Sequence, residues 1–319
     1  MNPAFSVIFF TSASGAGFGL LFLLGIFGPL GLLPSSSWFG VVAFAASFGL
    51  AVGGLISSTF HLGHPERAWR AFSQWRTSWL SREGVASVLT FVPAGLFAIG
   101  WVFFGSTGGI WAVLGLVSAV MAAITVYCTA MIYVSLKPIQ RWSNGWVAPG
   151  YLLISLMTGA LLLDLLLHLF GAGHWLISGL ALVAVAAAWA VKTGYWRFIE
   201  RTASASTPES ATGLGAFGRV RLLEAPHTEE NYLLKEMGFR IARKHAARLR
   251  DIAELCGFAA PLMLAGVSLI SLALEAHWLG TLAALAAVLA AAVGVVVDRW
   301  LFFAEARHAV TLYYGAAEA

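Results

Sequence analysis

Long apolar runs separated by short polar segments dominate the chain. Most runs reach the ~20 residues that a helix needs to cross the hydrocarbon core of a bilayer. None alternates polar and apolar residues at every second position, as barrel strands do. The pattern therefore predicts an all-α, polytopic membrane protein, a bundle of eight transmembrane helices. The predicted spans are 6–32, 38–60, 84–104, 109–135, 147–170, 174–191, 254–275 and 278–303.

The composition agrees with this pattern. Of 319 residues, 59% are hydrophobic and 11% are charged. A soluble domain of this length has no way to hide so much apolar surface. The first run lacks a preceding basic region and is too long for a cleavable signal, so we expect it to remain as the first span. We therefore treat 1–319 as a single integral membrane domain.

The positive charge lies on one side of the predicted bundle. All 19 Lys and Arg fall in 61–83, 136–146, 192–253 and 298–319. The four turns on the other side, near 33–37, 105–109, 171–174 and 275–277, have none. Because positive charge accumulates in cytoplasmic loops, both termini are predicted to be cytoplasmic (N-in/C-in). The chain is thus expected to be a multi-pass protein of a bacterial cytoplasmic (inner) membrane.

The long basic segment 192–253 has two distinct parts. Residues 202–231 are rich in Ser, Thr, Ala, Gly and Pro, which is typical of an extended linker. Residues 232–253 have the pattern of a basic amphipathic helix. Such a helix lies on anionic headgroups or docks a water-soluble partner, and both roles are compatible. The segment 192–253 is therefore expected to be a cytoplasmic linker followed by this helix.

The segment 61–83 is predicted to form a short cytoplasmic helix at the membrane interface. Aromatic residues recur in it at near-helical spacing, with arginines between them. It would hold His61 at the end of the second span and return the chain to Glu83 at the start of the third.

His61 and Glu83 are the best candidates for chemistry. A quinone needs an apolar slot, hydrogen-bond donors at its carbonyls and a titratable group that exchanges protons. A histidine, with an ordinary pKa of about 6.5, suits that exchange, and a carboxylate can relay protons. The alternative is structural: His61 caps its helix, and Glu83 pairs with Arg82 or neutralises a helix N-terminus.

Asp164 and His168 form a second candidate pair. They are four residues apart in the fifth span and so share a helix face. Ionisable residues inside a membrane are often functional, which makes the pair a candidate proton path. A hydrogen-bonded structural pair is the alternative. Haem b is not expected, because it needs a second histidine on a facing helix at compatible depth.

The end of the eighth span carries Asp298, Arg299, Glu305 and His308. These residues are expected to form a helix end with internal ion pairs, to line the site near His61 or to meet a partner.

The two cysteines, Cys128 and Cys256, are too few and too far apart to ligate an iron–sulfur cluster. We expect them to be small core residues. The sequence has no phosphate-binding glycine loop, no HExxH zinc motif and no convincing nucleophile. No metal site of its own and no nucleic-acid binding are therefore expected.

Three stretches together resemble the membrane anchor subunit of the dimethyl sulfoxide reductase family: FHLGHPERAWRAF…SWLSRE (60–83), VYCTAMIYVSLKPIQRW (126–142) and RWLFFAEARHAVTLYYG (299–315). The resemblance implies an anchor that has no metal centre and binds quinol. Such an anchor exchanges electrons with a four-cluster iron–sulfur subunit, which serves a molybdopterin catalytic subunit. The family's quinol-site His and Glu match His61 in HLG and Glu83 in SRE. Residues that would shape the slot around this pair are Arg67, Trp69, Trp79 and Arg82.

The predicted orientation bears on the kind of complex. Catalytic subunits of dimethyl sulfoxide reductases are typically exported, whereas here the basic face is predicted to be cytoplasmic. A subgroup resembling this anchor serves cytoplasmic sulfite dehydrogenases. The resemblance and orientation together predict an anchor that passes electrons from sulfite oxidation to menaquinone or ubiquinone, with substrate catalysis in a partner. The alternatives are a quinol-oxidising anchor of an S- or N-oxide reductase, a proton-coupled transporter using Asp164 and His168, and an anchor without a quinone site.

Overall fold

The structure is a computed structural model that describes residues 4–62, 64–202, 206–224, 245–314 and 316, without the side chains of 61 and 65. Within these ranges, eight helical segments are long and apolar enough to cross a membrane, which confirms the predicted bundle. No strand occurs among the described residues. The first six spans are α1 (Phe5–Phe27), α2 (Ser37–Ser57), α3 (Trp79–Phe104), α4 (Ile110–Val134), α5 (Val147–Leu169) and α6 (Trp175–Arg201).

The last two spans follow a short helix, α7 (Pro208–Thr212). The seventh consists of α8 (Ala246–Glu254), a π-helical turn (Leu255–Ala259) and α9 (Ala260–Ala273). The eighth is α10 (His277–Ala304). Among the described residues, 3₁₀ helices cover Ser58–His61, Pro65–Phe72, Gly215–Phe217 and Ala309–Tyr314.

Helices α1 and α5 form the centre of the bundle. In each, 67% of the most apolar stretch is buried, against 39% or less in the other spans. Gly159 of α5 lies so close to the backbone of Gly19 that a Cβ there would overlap it. Small residues at such contacts let membrane helices approach closely. Hydroxyls of neighbouring helices then reach the α1 backbone: Ser155 Oγ donates to the Gly15 carbonyl at 2.6 Å, and Ser47 Oγ to the Gly17 carbonyl at 2.9 Å.

The other spans pack around this centre. Helix α3 packs mainly on α4, while α9 packs on α10 and α6. We call the side with the described residues of segments 58–78, 135–146, 202–224 and 305–316 the basic face. The side with turns 28–36, 105–109, 170–174 and 274–276 is the opposite face.

The largest errors in the predicted boundaries are those of the sixth and seventh spans. The sixth span does not end at 191, because α6 continues to Arg201 and carries Lys192 into the bundle. The apolar run breaks at Lys192, but the helix continues because the ammonium group has an internal partner, Asp298. The seventh helix begins at Ala246, well before the predicted 254, so this end of the amphipathic segment continues directly into a span. Residues 225–244 lie outside the described residues; they include 232–244 of the predicted amphipathic helix.

Candidate functional site

Glu83 lies in the first turns of α3, close to the basic face. Its side chain is buried, with 4% of the residue exposed. Thr129 of α4 donates a hydrogen bond from Oγ1 to Glu83 Oε1 at 2.7 Å. The Thr129 hydroxyl also lies 3.1 Å from the Thr125 carbonyl, one turn earlier in its own helix. A carboxylate is therefore held inside the α3–α4 pair by a neutral hydroxyl.

Arg82 and Trp79 form the rim beside this carboxylate. The Arg82 guanidinium stacks over the Trp79 ring, 4.2 Å from its centroid, a cation–π geometry. The same guanidinium donates to the carbonyl oxygens of Trp75 and Arg76, at 3.0 and 2.7 Å. These bonds fix the turn before α3. Arg82 is thus engaged with the backbone and with Trp79, and no ion pair is described between Arg82 and Glu83.

Arg67 and Trp69 stand on the 3₁₀ helix Pro65–Phe72, at the surface. Trp69 is 66% exposed and stacks with Arg70, and Arg67 Nε lies 3.7 Å from Glu66 Oε1. The predicted interfacial helix is thus a 3₁₀ helix followed by turns. Phe72 at its end packs against Gly84, next to Glu83.

His61 ends the 3₁₀ helix Ser58–His61, and its side chain lies outside the described part of the structure. Its pairing with Glu83 therefore remains a prediction, as do the roles of the four slot residues.

A second buried polar cluster links α5, α6 and α10 in the same half of the bundle. Lys192 Nζ of α6 lies 2.6 Å from Asp298 Oδ1 of α10, and both residues are buried. The neighbouring Arg299 places its guanidinium 3.8 Å from the ring centroid of Tyr151. The Lys192 ammonium also lies over the ring of Tyr195, at 4.5 Å. Two cations, one carboxylate and two phenols therefore share the interior.

Glu305, which directly follows α10, forms ion pairs at the basic face. Arg250 Nη2 lies 2.8 Å from Glu305 Oε1, and Arg141 Nη1 lies 3.6 Å from the same oxygen. Arg250 also pairs with Glu200. Burial lowers the pKa of the Arg141 guanidinium, and the charge of Glu305 opposes that shift. Asp298 and Glu305 at the end of the eighth span do form ion pairs, but with Lys192, Arg141 and Arg250 of other segments rather than within the helix end.

Asp164 and His168 lie together near the opposite face. Asp164 accepts hydrogen bonds from Ser178 Oγ at 2.5 Å and from Ser268 Oγ at 2.7 Å, one at each oxygen. His168 Nδ1 lies 2.9 Å from the Asp164 carbonyl oxygen. These bonds engage both carboxylate oxygens, which favours the structural alternative. A proton path through the pair stays a prediction.

Cys128 is buried in α4, and Cys256 is half-buried in the π-helical turn. Within the described residues, no group of three or more His, Cys, Asp or Glu side chains is placed to hold a metal ion.

Sequence reasoning missed several residues of these clusters, among them Thr129, Tyr151 and Lys192. Lys192 left a signal, because a lone lysine in an apolar run such as AAAWAVKTGYW calls for a buried partner. Thr129 and Tyr151 left none, since hydroxyl residues are common in spanning helices and only the packing of α3, α4, α5 and α10 reveals their neighbours.

Comparison with known proteins finds one matching family and two similar proteins. The family model described as DMSO reductase anchor subunit (DmsC) matches residues 1–216. The C subunit of the sulfite dehydrogenase of Allochromatium vinosum is 31% identical over 340 residues, covering 98% of this chain and 99% of that protein. The C component of the anaerobic dimethyl sulfoxide reductase of Escherichia coli is 31% identical over 140 residues, covering 42% of this chain and 47% of that protein. No solved structure matches the chain. The family match and the full-length relative show that the chain belongs to the DMSO reductase anchor subunit family.

Proposed function

We propose that this chain is the quinone-reactive membrane anchor of a molybdopterin and iron–sulfur oxidoreductase. It passes electrons between the quinone pool and a four-cluster iron–sulfur subunit, while the substrate chemistry takes place in a molybdopterin subunit. The family supports the anchor role, and the observation that carries the quinone role is buried Glu83 behind an aromatic and arginine-rich rim. A carboxylate in apolar surroundings, within reach of the basic face, is suited to exchanging protons with a quinone oxygen.

The roles of the two site residues follow from their chemistry. His61 donates a hydrogen bond to one quinone carbonyl, and Glu83 transfers protons at the ring. Arg67, Trp69, Trp79 and Arg82 shape the entrance, with the Arg82–Trp79 stack as its wall on the α3 side.

The proposed substrate reaction is oxidation of sulfite to sulfate, with quinone reduction. It is supported by similarity along the whole length of a membrane component of a sulfite dehydrogenase. The concentration of Lys and Arg on the basic face supports a cytoplasmic location for that face and its partners. A reporter fused after residue 319 that is active only outside the cytoplasm would contradict this orientation.

The second candidate is a quinol-oxidising anchor of an S-oxide reductase, which the similarity to a dimethyl sulfoxide reductase component over 140 residues supports. The same site would then work in reverse. Turnover of the purified complex with sulfite and quinone, compared with dimethyl sulfoxide and quinol, separates the two candidates.

The quinone site is tested by Glu83→Gln in the assembled complex. We expect turnover with quinone to fall by about 10²-fold, as for loss of a general acid or base, while turnover with an artificial dye is unchanged. His61→Ala is expected to behave in the same way.

Glu254→Gln is the matched control. Glu254 is also a carboxylate within a span and accepts one side-chain hydrogen bond, from Trp189 Nε1 at 3.1 Å. It is expected to keep native quinone turnover. Native quinone turnover in Glu83→Gln would remove the proposed role of Glu83.

A further inference from the structure

Two small cavities flank the Tyr151–Arg299 stack in the basic-face half of the bundle. The first, of about 10 Å³, lies between α1, α4, α5 and α10, and its lining includes Ser12 and Thr129. The second, of about 20 Å³, lies between α5, α6 and α10, and its lining includes Lys192. Tyr151 and Arg299 line both. Each cavity has room for about one water molecule, which needs roughly 10–15 Å³ on this measure.

Polar atoms beside these cavities lack protein partners. Among the described residues, the Tyr151 hydroxyl, Arg299 Nε and Ser12 Oγ are buried without a hydrogen bond. Asp298 lines neither cavity, but its Oδ1 lies 2.6 Å from Nζ of Lys192, which lines the second, and its oxygens are also without a hydrogen bond. Buried polar groups in folded proteins nearly always pair with protein or with ordered water. Unpaired atoms around water-sized cavities therefore mark hydration sites.

Residues that line the two cavities contact Glu83 on one side and the basic face on the other. Thr129 lines the first cavity and donates its hydroxyl to Glu83. Tyr195 lines the second and donates to the Arg141 carbonyl oxygen in the basic-face segment, at 3.1 Å. Trp146, which is 37% exposed, lines the outer edge of the second cavity. Polar groups thus run from a buried carboxylate to the surface.

We propose that the two cavities hold ordered water and form, with Thr129, Tyr151 and the Lys192–Asp298 pair, a proton path between the basic face and Glu83. This inference rests on the proposed quinone function. A hydroxyl has one donor and two acceptor positions, so Thr129 and Tyr151 can each receive a proton on one side and release one on the other.

The balance of the step is simple. Reduction of one quinone to quinol takes two electrons from the iron–sulfur partner and two protons from water. Glu83 gives a proton to one quinone oxygen and, after being reprotonated from water on the basic face along the path, a second proton to the other oxygen. A further reprotonation returns Glu83 to its starting state. Quinol oxidation uses the same groups in the opposite direction.

Tyr151→Phe removes the hydroxyl between the cavities and keeps the ring beneath Arg299. We expect quinone turnover of the complex to fall by about tenfold or more, and the solvent deuterium isotope effect on that turnover to rise. Turnover with the artificial dye and the affinity for a quinone analogue are expected to be native. Tyr313→Phe is the matched control, because that hydroxyl donates to the Ala211 carbonyl on the basic face, away from both cavities.

A double variant, Lys192→Met with Asp298→Leu, removes the pair without leaving one buried charge behind. It is expected to show the same loss of quinone turnover and the same rise in the isotope effect. Its quinone-analogue affinity again serves as the check on folding.

The outcomes separate this path from the proposed function. Native quinone turnover in Tyr151→Phe and in the double variant, alongside a defective Glu83→Gln, overturns the path and leaves the quinone site in place. Slow turnover with an unchanged isotope effect also overturns the path, because it assigns Tyr151 to packing. Native turnover in Glu83→Gln removes the proposed role of Glu83 in the quinone site, and with it the end point of the path.

Discussion

The two halves of the bundle bury charge in different ways. Near the opposite face, Asp164 has a hydroxyl donor at each oxygen, from Ser178 and Ser268. Near the basic face, Asp298 has an ammonium group beside one oxygen, while Arg299 Nε has no described hydrogen-bonding partner. We call the first cluster closed, because each carboxylate oxygen of Asp164 accepts a hydrogen bond from a protein hydroxyl. The second is open, because it has more polar atoms than the described protein groups can pair.

This difference indicates which of the two clusters is suited to exchanging protons. A closed cluster holds its proton distribution fixed, since any transfer breaks a satisfied hydrogen bond. An open cluster with room for water can change partners at little cost. The open cluster also lies in the same half of the membrane as Glu83, whereas Asp164 lies near the far end of α5.

Among the variants that test the contrast between the two clusters, Lys192→Met is expected to have the largest effect on stability. It leaves Asp298 buried without its counter-charge, so the free energy of unfolding should fall by about 3–5 kcal/mol. Denaturant unfolding of the complex in detergent measures this, and the double variant with Asp298→Leu should recover most of the loss. A single variant as stable as the native protein would mean that the pair is already solvated.

A smaller effect is expected from Asp164→Asn. The amide cannot accept both serine hydroxyls as the carboxylate does, so stability should fall by about 1–3 kcal/mol. Quinone turnover should be native if the cluster is structural. Strongly reduced turnover at native stability would restore the proton path predicted for Asp164 and His168.

The smallest effect is the difference between two serine-to-alanine variants. Ser268→Ala removes a donor to Asp164 and should lower the unfolding free energy by about 1 kcal/mol or more. Ser12→Ala removes a hydroxyl with no described protein partner and should change it by less than about 0.5 kcal/mol. Thermal unfolding of both variants side by side measures the difference; equal losses would contradict the contrast between closed and open clusters.

The architecture was readable from the sequence because a bilayer imposes length and polarity on every span. The clearest error in a span boundary occurred where a charged residue inside a span is neutralised by a partner on another helix. Lys192 ended the predicted sixth span, yet α6 continues because Asp298, 106 positions further on, neutralises it. Pairing between helices far apart in sequence has no periodic signal.

The site was partly readable for a related reason. Glu83 could be chosen because a carboxylate at the start of an apolar run is rare, since placing it in a membrane costs free energy. Its partner Thr129 could not, since a hydroxyl in α4 carries no such penalty and its contact depends on the packing of α3 against α4. The two cavities beside Tyr151 are lined by five helices, α1, α4, α5, α6 and α10, so no single helix sequence reveals them.

The central position of α1 has a consequence for how the protein is made. A polypeptide is synthesised from its N-terminus, so α1 enters the membrane before the helices that will surround it. It arrives with two of its hydroxyls satisfied within the helix: Thr11 Oγ1 donates to the Val7 carbonyl, and Ser14 Oγ to the Phe10 carbonyl. The donors to its other carbonyls, Ser47 and Ser155, come later with α2 and α5. Biogenesis therefore adds the contacts from Ser47 and Ser155 to α1 in the order of synthesis.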